Sequence, residues 1–143
     1  MDYKAIISKL PYGKPFLFVD ELSHISEESV EGSFTFDEDL DFYRGHFKGN
    51  PVTPGVILAE TMAQIGVACL GIYLLGESLN EHTKIAMSSS EIEFLQPVFP
   101  GEKVTVMGKK IYFRFGKLKC TVSMRNAAGE EVCQGTIAGI ITD

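Results

Sequence analysis

The stretch GHFKGNPVTPGVILAETMAQ (45–64) sets His46 before a Gly/Pro-rich bend and Glu60 on the second turn of an apolar helix. These two residue types suit proton transfer. A histidine titrates near neutral pH and can accept a proton. A carboxyl forced into apolar surroundings keeps its proton and can donate it. Gln64 follows Glu60 by one helical turn, so both share a face and the amide can hold the carboxyl. Gly55 falls in the first turn, where a backbone N–H has no partner within the helix and points at whatever binds there. That is a suitable place to stabilise a developing enolate oxygen. Together the parts suit proton abstraction beside a carbonyl, with a second acid to protonate a leaving group. A structural histidine and a satisfied buried glutamate would account for the same residues, and spacing alone leaves both readings open.

Several elements must position these groups. The helix is expected from about Pro54 to Leu75, with Thr53 as its cap, Pro54 in its first turn and Gly76 at its end. Val56, Ile57, Leu58, Met62, Ile65, Val67, Leu70, Ile72, Leu74 and Leu75 make most of its faces apolar, so it is buried in a core or crosses a membrane. Glu60 and Gln64 interrupt it, which favours a core helix over a membrane span. Strands are expected at 16–25 and 29–36, and from Lys84 nearly to the end of the chain, with bends at 97–101, 115–117 and 127–129. Tyr3, Ile6, Ile7 and Leu10 have the spacing of a short amphipathic helix. An antiparallel sheet wrapped around one buried helix is the economical α+β architecture, as a single domain over 1–143.

Composition bounds the rest. The 143 residues are 45% hydrophobic and 22% charged, as in globular proteins. The opening MDYKAIISKL is charged and amphipathic, unlike a secretory signal. Cys69, Cys120 and Cys133 are odd in number and lack a C-x-x-C pair, which argues against disulfides and zinc and suits a reducing cytoplasm. A net charge of −6 disfavours nucleic acid. Residues 101–125 nevertheless carry seven lysines and arginines against Glu102 alone. Lys109, Lys110 and Lys117 are candidates there for docking an acidic partner, with a solvated strand edge as the alternative. Asp37, Asp39 and Asp41 imitate the start of a calcium loop, but Phe42 holds its glycine position, so no metal is expected. His24 and His82 are expected to face solvent. Phe16, Phe18, Phe34, Phe36 and Phe94 are candidates for core packing or for lining an apolar tunnel.

The segment HFKGNPVTPGVILAETMAQ resembles the active-site segment of the 3-hydroxyacyl-acyl-carrier-protein dehydratases, a hot-dog-fold family. The resemblance continues in LPYGKPFLFVD (10–20), FYRGHF (42–47), FLQPVFPGE (94–102) and GKLKC (116–120), collinear over about residues 10–135. It implies a hot-dog fold and dehydration of (3R)-3-hydroxyacyl thioesters to trans-2-enoyl thioesters in fatty-acid or related lipid or polyene biosynthesis. By that resemblance His46 removes the C2 proton and Glu60 helps expel the 3-hydroxyl as water. The Gly55 N–H polarises the thioester carbonyl, and the Val52 carbonyl orients the His46 ring. No metal or redox cofactor is implied, because the substrate arrives on the phosphopantetheine arm of acyl carrier protein. Relatives are homodimers with shared sites, often trimers of dimers. Departures stand at Tyr12, Gly13, Lys48, Thr53, Glu91, Glu93 and Gln96, outside the catalytic pair, and are read as bearing on carrier and acyl-chain preference. A hot-dog thioesterase and a non-catalytic acyl-binding subunit of a synthase are the competing functions. A hydratase of coenzyme A esters fits less well, because its usual Asp/His helix motif is absent.

Overall fold

The computed structural model describes residues 2–142. A short helix α1 (Tyr3–Ser8) is capped by the Asp2 side chain, which accepts from the Lys4 N–H, and it buries Ile6. Strands β1 (Glu21–Ile25) and β2 (Ser29–Thr35) form a hairpin, and a 3₁₀ turn (Asp41–Arg44) leads to the Gly/Pro-rich bend. Then α2 (Gly55–Ala63), a single π turn (Gln64–Ala68) and α3 (Cys69–Leu75) run on as one continuous helix. Strands β3 (Lys84–Phe94), β4 (Lys103–Arg114), β5 (Lys117–Arg125) and β6 (Glu131–Thr142) complete the chain.

All strand pairs are antiparallel, in the order β1-β2-β4-β5-β6-β3. In β2, β4 and β5 buried residues alternate with more exposed ones, so one face of the sheet turns to the helix and the other away. The hot-dog architecture expected from the sequence is the one observed. Its core joins Met62, Ile65, Leu70 and Ile72 of the helix to Val106, Leu118, Val122, Met124 and Ile137 of the sheet. Each such aliphatic side chain contributes about 1.5–3 kcal/mol by leaving water.

The Gly55–Ser78 stretch is long and apolar enough to cross a membrane, with mean hydropathy 1.7, yet 72% of its most apolar 18-residue window is buried inside the protein. It is the core helix. Its π turn passes so close to the sheet that a Cβ on Gly108 would lie 2.4 Å from the Gly66 carbonyl oxygen. Two glycines meeting backbone to backbone let the helix settle onto β4. Gly76 ends the helix with φ +51°, as its position suggests.

Two details differ from expectation. The strand expected from residue 16 begins only at Glu21. The backbone of Phe16 and Phe18 is instead engaged by the Gln64 side chain, which takes the place of a strand partner. Thr53 does not cap the helix. Its hydroxyl bonds the Tyr43 phenol, and Pro54 occupies the cap position without a side-chain cap bond.

Candidate active site

His46 closes the segment that follows the 3₁₀ turn, its N–H donating to Phe42 O at 3.0 Å. His46 and Val52 then clamp each other across the bend. The Val52 N–H donates to His46 O, and His46 Nδ1 lies 2.9 Å from Val52 O. A carbonyl oxygen only accepts, so Nδ1 carries the hydrogen and, in the neutral ring, the lone pair is on Nε2. The Phe47 ring stacks on the imidazole at 4.1 Å between centroids. The glycine at 49 takes φ +68° where the bend reverses, and Phe47 and Asn50 exchange backbone hydrogen bonds.

Gly55 opens the helix directly after this bend, its N–H uncapped by any side chain. A Cβ there would lie 3.4 Å from the Phe94 ring, so the first turn and the end of β3 form a crevice with Thr53, Leu58, Leu95 and Pro97. Two turns on, Gln64 is fully buried and uses both ends of its amide. Its Nε2 donates to Glu60 Oε2 at 3.0 Å and to Phe16 O at 2.9 Å, while its Oε1 accepts from the Phe18 N–H at 2.8 Å. One side chain thus orients the Glu60 carboxyl and fastens the 16–18 segment over the helix. Burial pushes the Glu60 carboxyl above the ordinary carboxylate value, and the Gln64 hydrogen bond opposes that rise in part.

Glu60 faces a cavity of about 40 Å³ between the helix, β3 and β6, which Tyr12 also lines. His46 is not among the residues lining it. Glu60 and His46 therefore do not both line this cavity.

The docking candidates separate. Lys109 is exposed on the outer face of the sheet beside Met107 and Thr121. Lys110, one residue on, faces the other way, is largely covered and pairs with Glu28 at 3.5 Å. Lys117 stands opposite Arg114 at the far end of the β4–β5 pair, roughly 14 Å along the strand from Lys109, which pairs with Thr121. The three do not form one patch, because strand alternation splits neighbours in sequence. Phe18, Phe34 and Phe36 pack edge to face in the core, while Phe16 and Phe94 are half exposed. The three cysteines are buried with thiols pushed up to about 12, inert core residues as expected. His24 and His82 face solvent. No group of three or more potential metal ligands occurs among the described residues.

Tyr12 is the site residue that sequence spacing misses. It comes from the turn after α1 and meets Glu60 only through the fold. A departure assigned from sequence to carrier and chain preference therefore lies in the pocket of the acid itself.

Residues 10–137 match the family model described as a FabA-like domain. The chain is 32% identical to the 3-hydroxyacyl-(acyl-carrier-protein) dehydratase FabZ of Caldicellulosiruptor saccharolyticus over 95% of each. It is 35% identical to the FabZ of Anaplasma phagocytophilum over 81% of this chain and 80% of that protein. Among solved structures, a mutant thioesterase from Pseudomonas aeruginosa superposes with TM-score 0.74 at 12% identity, over 99% of this chain and 94% of that one. At that identity the likeness concerns the fold alone.

Proposed function

The chain belongs to the FabA-like family, and from that membership we infer that it is a hydro-lyase, a 3-hydroxyacyl-(acyl-carrier-protein) dehydratase of fatty-acid biosynthesis. The observation that carries the reaction type is the unequal state of its two proton-transfer groups. His46 has Nδ1 committed to Val52 O and Nε2 open as a base. Glu60 is pushed by burial toward its protonated form and so suits a general acid. A thioesterase that activates water would gain from an ionised carboxylate, and desolvation disfavours that form here. A pure acyl binder has no use for the pair.

In the reaction, His46 Nε2 takes the C2 proton and charge develops on the thioester oxygen, toward which the uncapped Gly55 N–H can donate. The C3–O bond then breaks and Glu60 supplies the proton that turns the hydroxyl into water. This acid–base chemistry calls on no metal or redox cofactor. The acyl group is carried on a phosphopantetheine arm, and the names of the relatives support a carrier-protein substrate. A cytoplasmic setting agrees with three free thiols.

The acting unit is a homodimer in which His46 of one protomer faces Glu60 of the partner. Three features support it. His46 does not line the Glu60 cavity. The edge strand β3 is 11 residues long and exposed along most of its length, an arrangement that asks for a pairing partner. Exposed apolar side chains flank the site, with Phe47 against His46, Phe94 against Gly55, and Val56 75% exposed in the first turn of the helix. Carrier docking by Lys109 and Lys117 rests on charge alone.

The test is product identity with a 3-hydroxyacyl thioester. Dehydration yields the enoyl thioester, and His46→Ala and Glu60→Gln each abolish it while remaining folded. Release of free thiol would establish a thioesterase instead. No turnover would leave an acyl-binding subunit.

A further inference from the structure

We propose that Tyr12 gives a second hydrogen bond to the hydroxyl that leaves C3, forming with Glu60 the site where the eliminated water is held; this rests on dehydration being the reaction. The cavity beside Glu60 measures about 40 Å³. By the same measure one water needs only about 10–15 Å³, so the space has room for the eliminated water. Its remaining side-chain walls, among them Ala63, Val67, Ile85 and Ile137, are apolar. Glu60 and Tyr12 are the two lining residues with polar side-chain atoms.

Both are available. Glu60 has one oxygen engaged by Gln64 and the other open. Among the described residues, no hydrogen bond engages the Tyr12 hydroxyl, which is not sealed from solvent. The same amide that orients Glu60 also holds Phe16 O and the Phe18 N–H, tying down the segment that carries Tyr12. The Tyr12 ring packs against Phe16 at 6.2 Å between centroids. Burial first, then the nearby Glu60 and the buried Cys69 thiol, raise the Tyr12 phenol above its ordinary value, so it stays a donor. These are the titratable groups around the cavity.

The step balances without a further reagent. The C2 proton goes to His46 Nε2 and the C2–H electrons form the C2–C3 double bond. The C3–O electrons leave on oxygen, and Glu60 delivers the proton that completes water. Tyr12 keeps its proton and donates a hydrogen bond to the departing oxygen, stabilising charge that develops only as the bond breaks.

Tyr12→Phe keeps the ring and its packing and removes only the hydroxyl. It should be compared with wild type on two pantetheine thioesters, a 3-hydroxyacyl and a 3-chloroacyl, because departing chloride accepts hydrogen bonds far more weakly than departing hydroxyl oxygen. With the hydroxyl substrate, kcat should fall at least about tenfold with KM within about twofold. With the chloride the loss should be clearly smaller, and the melting temperature should match wild type. Equal losses on both substrates would overturn the proposal by making Tyr12 a packing residue, and unchanged dehydration would overturn it outright. In either case wild type would still dehydrate, leaving the functional reading intact. Failure of wild type to dehydrate would overturn both.

Discussion

Replacing Gln64 by leucine removes the one side chain that joins the acid to the loop above it while nearly keeping volume. Three hydrogen bonds are lost, to Glu60 Oε2, Phe16 O and the Phe18 N–H. They are not equivalent. Phe16 is half exposed, so water can satisfy its carbonyl and the loss is about 1 kcal/mol. Phe18 is 1% exposed, and its orphaned N–H costs about 1–3 kcal/mol. The sum is about 2–4 kcal/mol. For a domain of this size that lowers Tm by roughly 6–20 °C, at about 3–5 °C per kcal/mol. Thermal unfolding followed by circular dichroism measures it. Because the Gln64 bond holds Glu60 below the value that burial alone would set, its loss also moves the alkaline limb of turnover to higher pH. Dehydration should drop about 10–100-fold as the carboxyl loses its orientation. A variant melting and turning over like wild type would refute the clamp.

Glu60→Gln carries the opposite sign for stability. The carboxyl is raised in the folded state, so the native protein holds this proton more tightly than the unfolded chain does. Its stabilising effect is complete below the ordinary carboxylate range and is lost as pH climbs through the raised folded value. A neutral glutamine is free of that decline, so the variant should melt no lower than wild type at neutral pH while losing nearly all dehydration; a clearly lower melting point would contradict the buried-acid assignment. For carrier docking, Lys109 and Lys117 should be reversed to glutamate together and Lys110 left alone, since its change would set a charge against Glu28. KM for a carrier-bound substrate should rise a few-fold at low salt and the pantetheine thioester should be unaffected, because exposed charges act mainly on association. Equal effects on both substrates would speak against a docking surface.

Much of this site is local in sequence and therefore legible there. His46, Val52, Gly55, Glu60 and Gln64 sit within one bend and the turns that follow, and helical spacing alone puts Gln64 beneath Glu60. The central helix announces itself by apolar residues between Pro54 and Gly76. What escapes is long-range. Phe16 to Asp20 read as strand because a short apolar, aromatic-rich run suits one, and no local signal tells that a helix glutamine 46 residues from Phe18 takes its N–H. Thr53 has the chemistry of a cap, but a tyrosine from the preceding turn takes its hydroxyl. Tyr12 reaches Glu60 only because that loop is pinned. The lysines fail as a patch for a reason that strand period already contains, since 109 and 110 must face opposite ways.

The proposal that protomers share the acid–base site is tested most directly by mixing two inactive proteins. His46→Ala and Glu60→Gln protomers are allowed to exchange, and formation of mixed dimers is verified by native mass spectrometry. In a mixed dimer, one site receives both intact residues and the other receives neither, so dehydration should return to about a quarter of wild type at equal mixing. No recovery in the presence of mixed dimers would contradict a site built from His46 of one protomer and Glu60 of its partner.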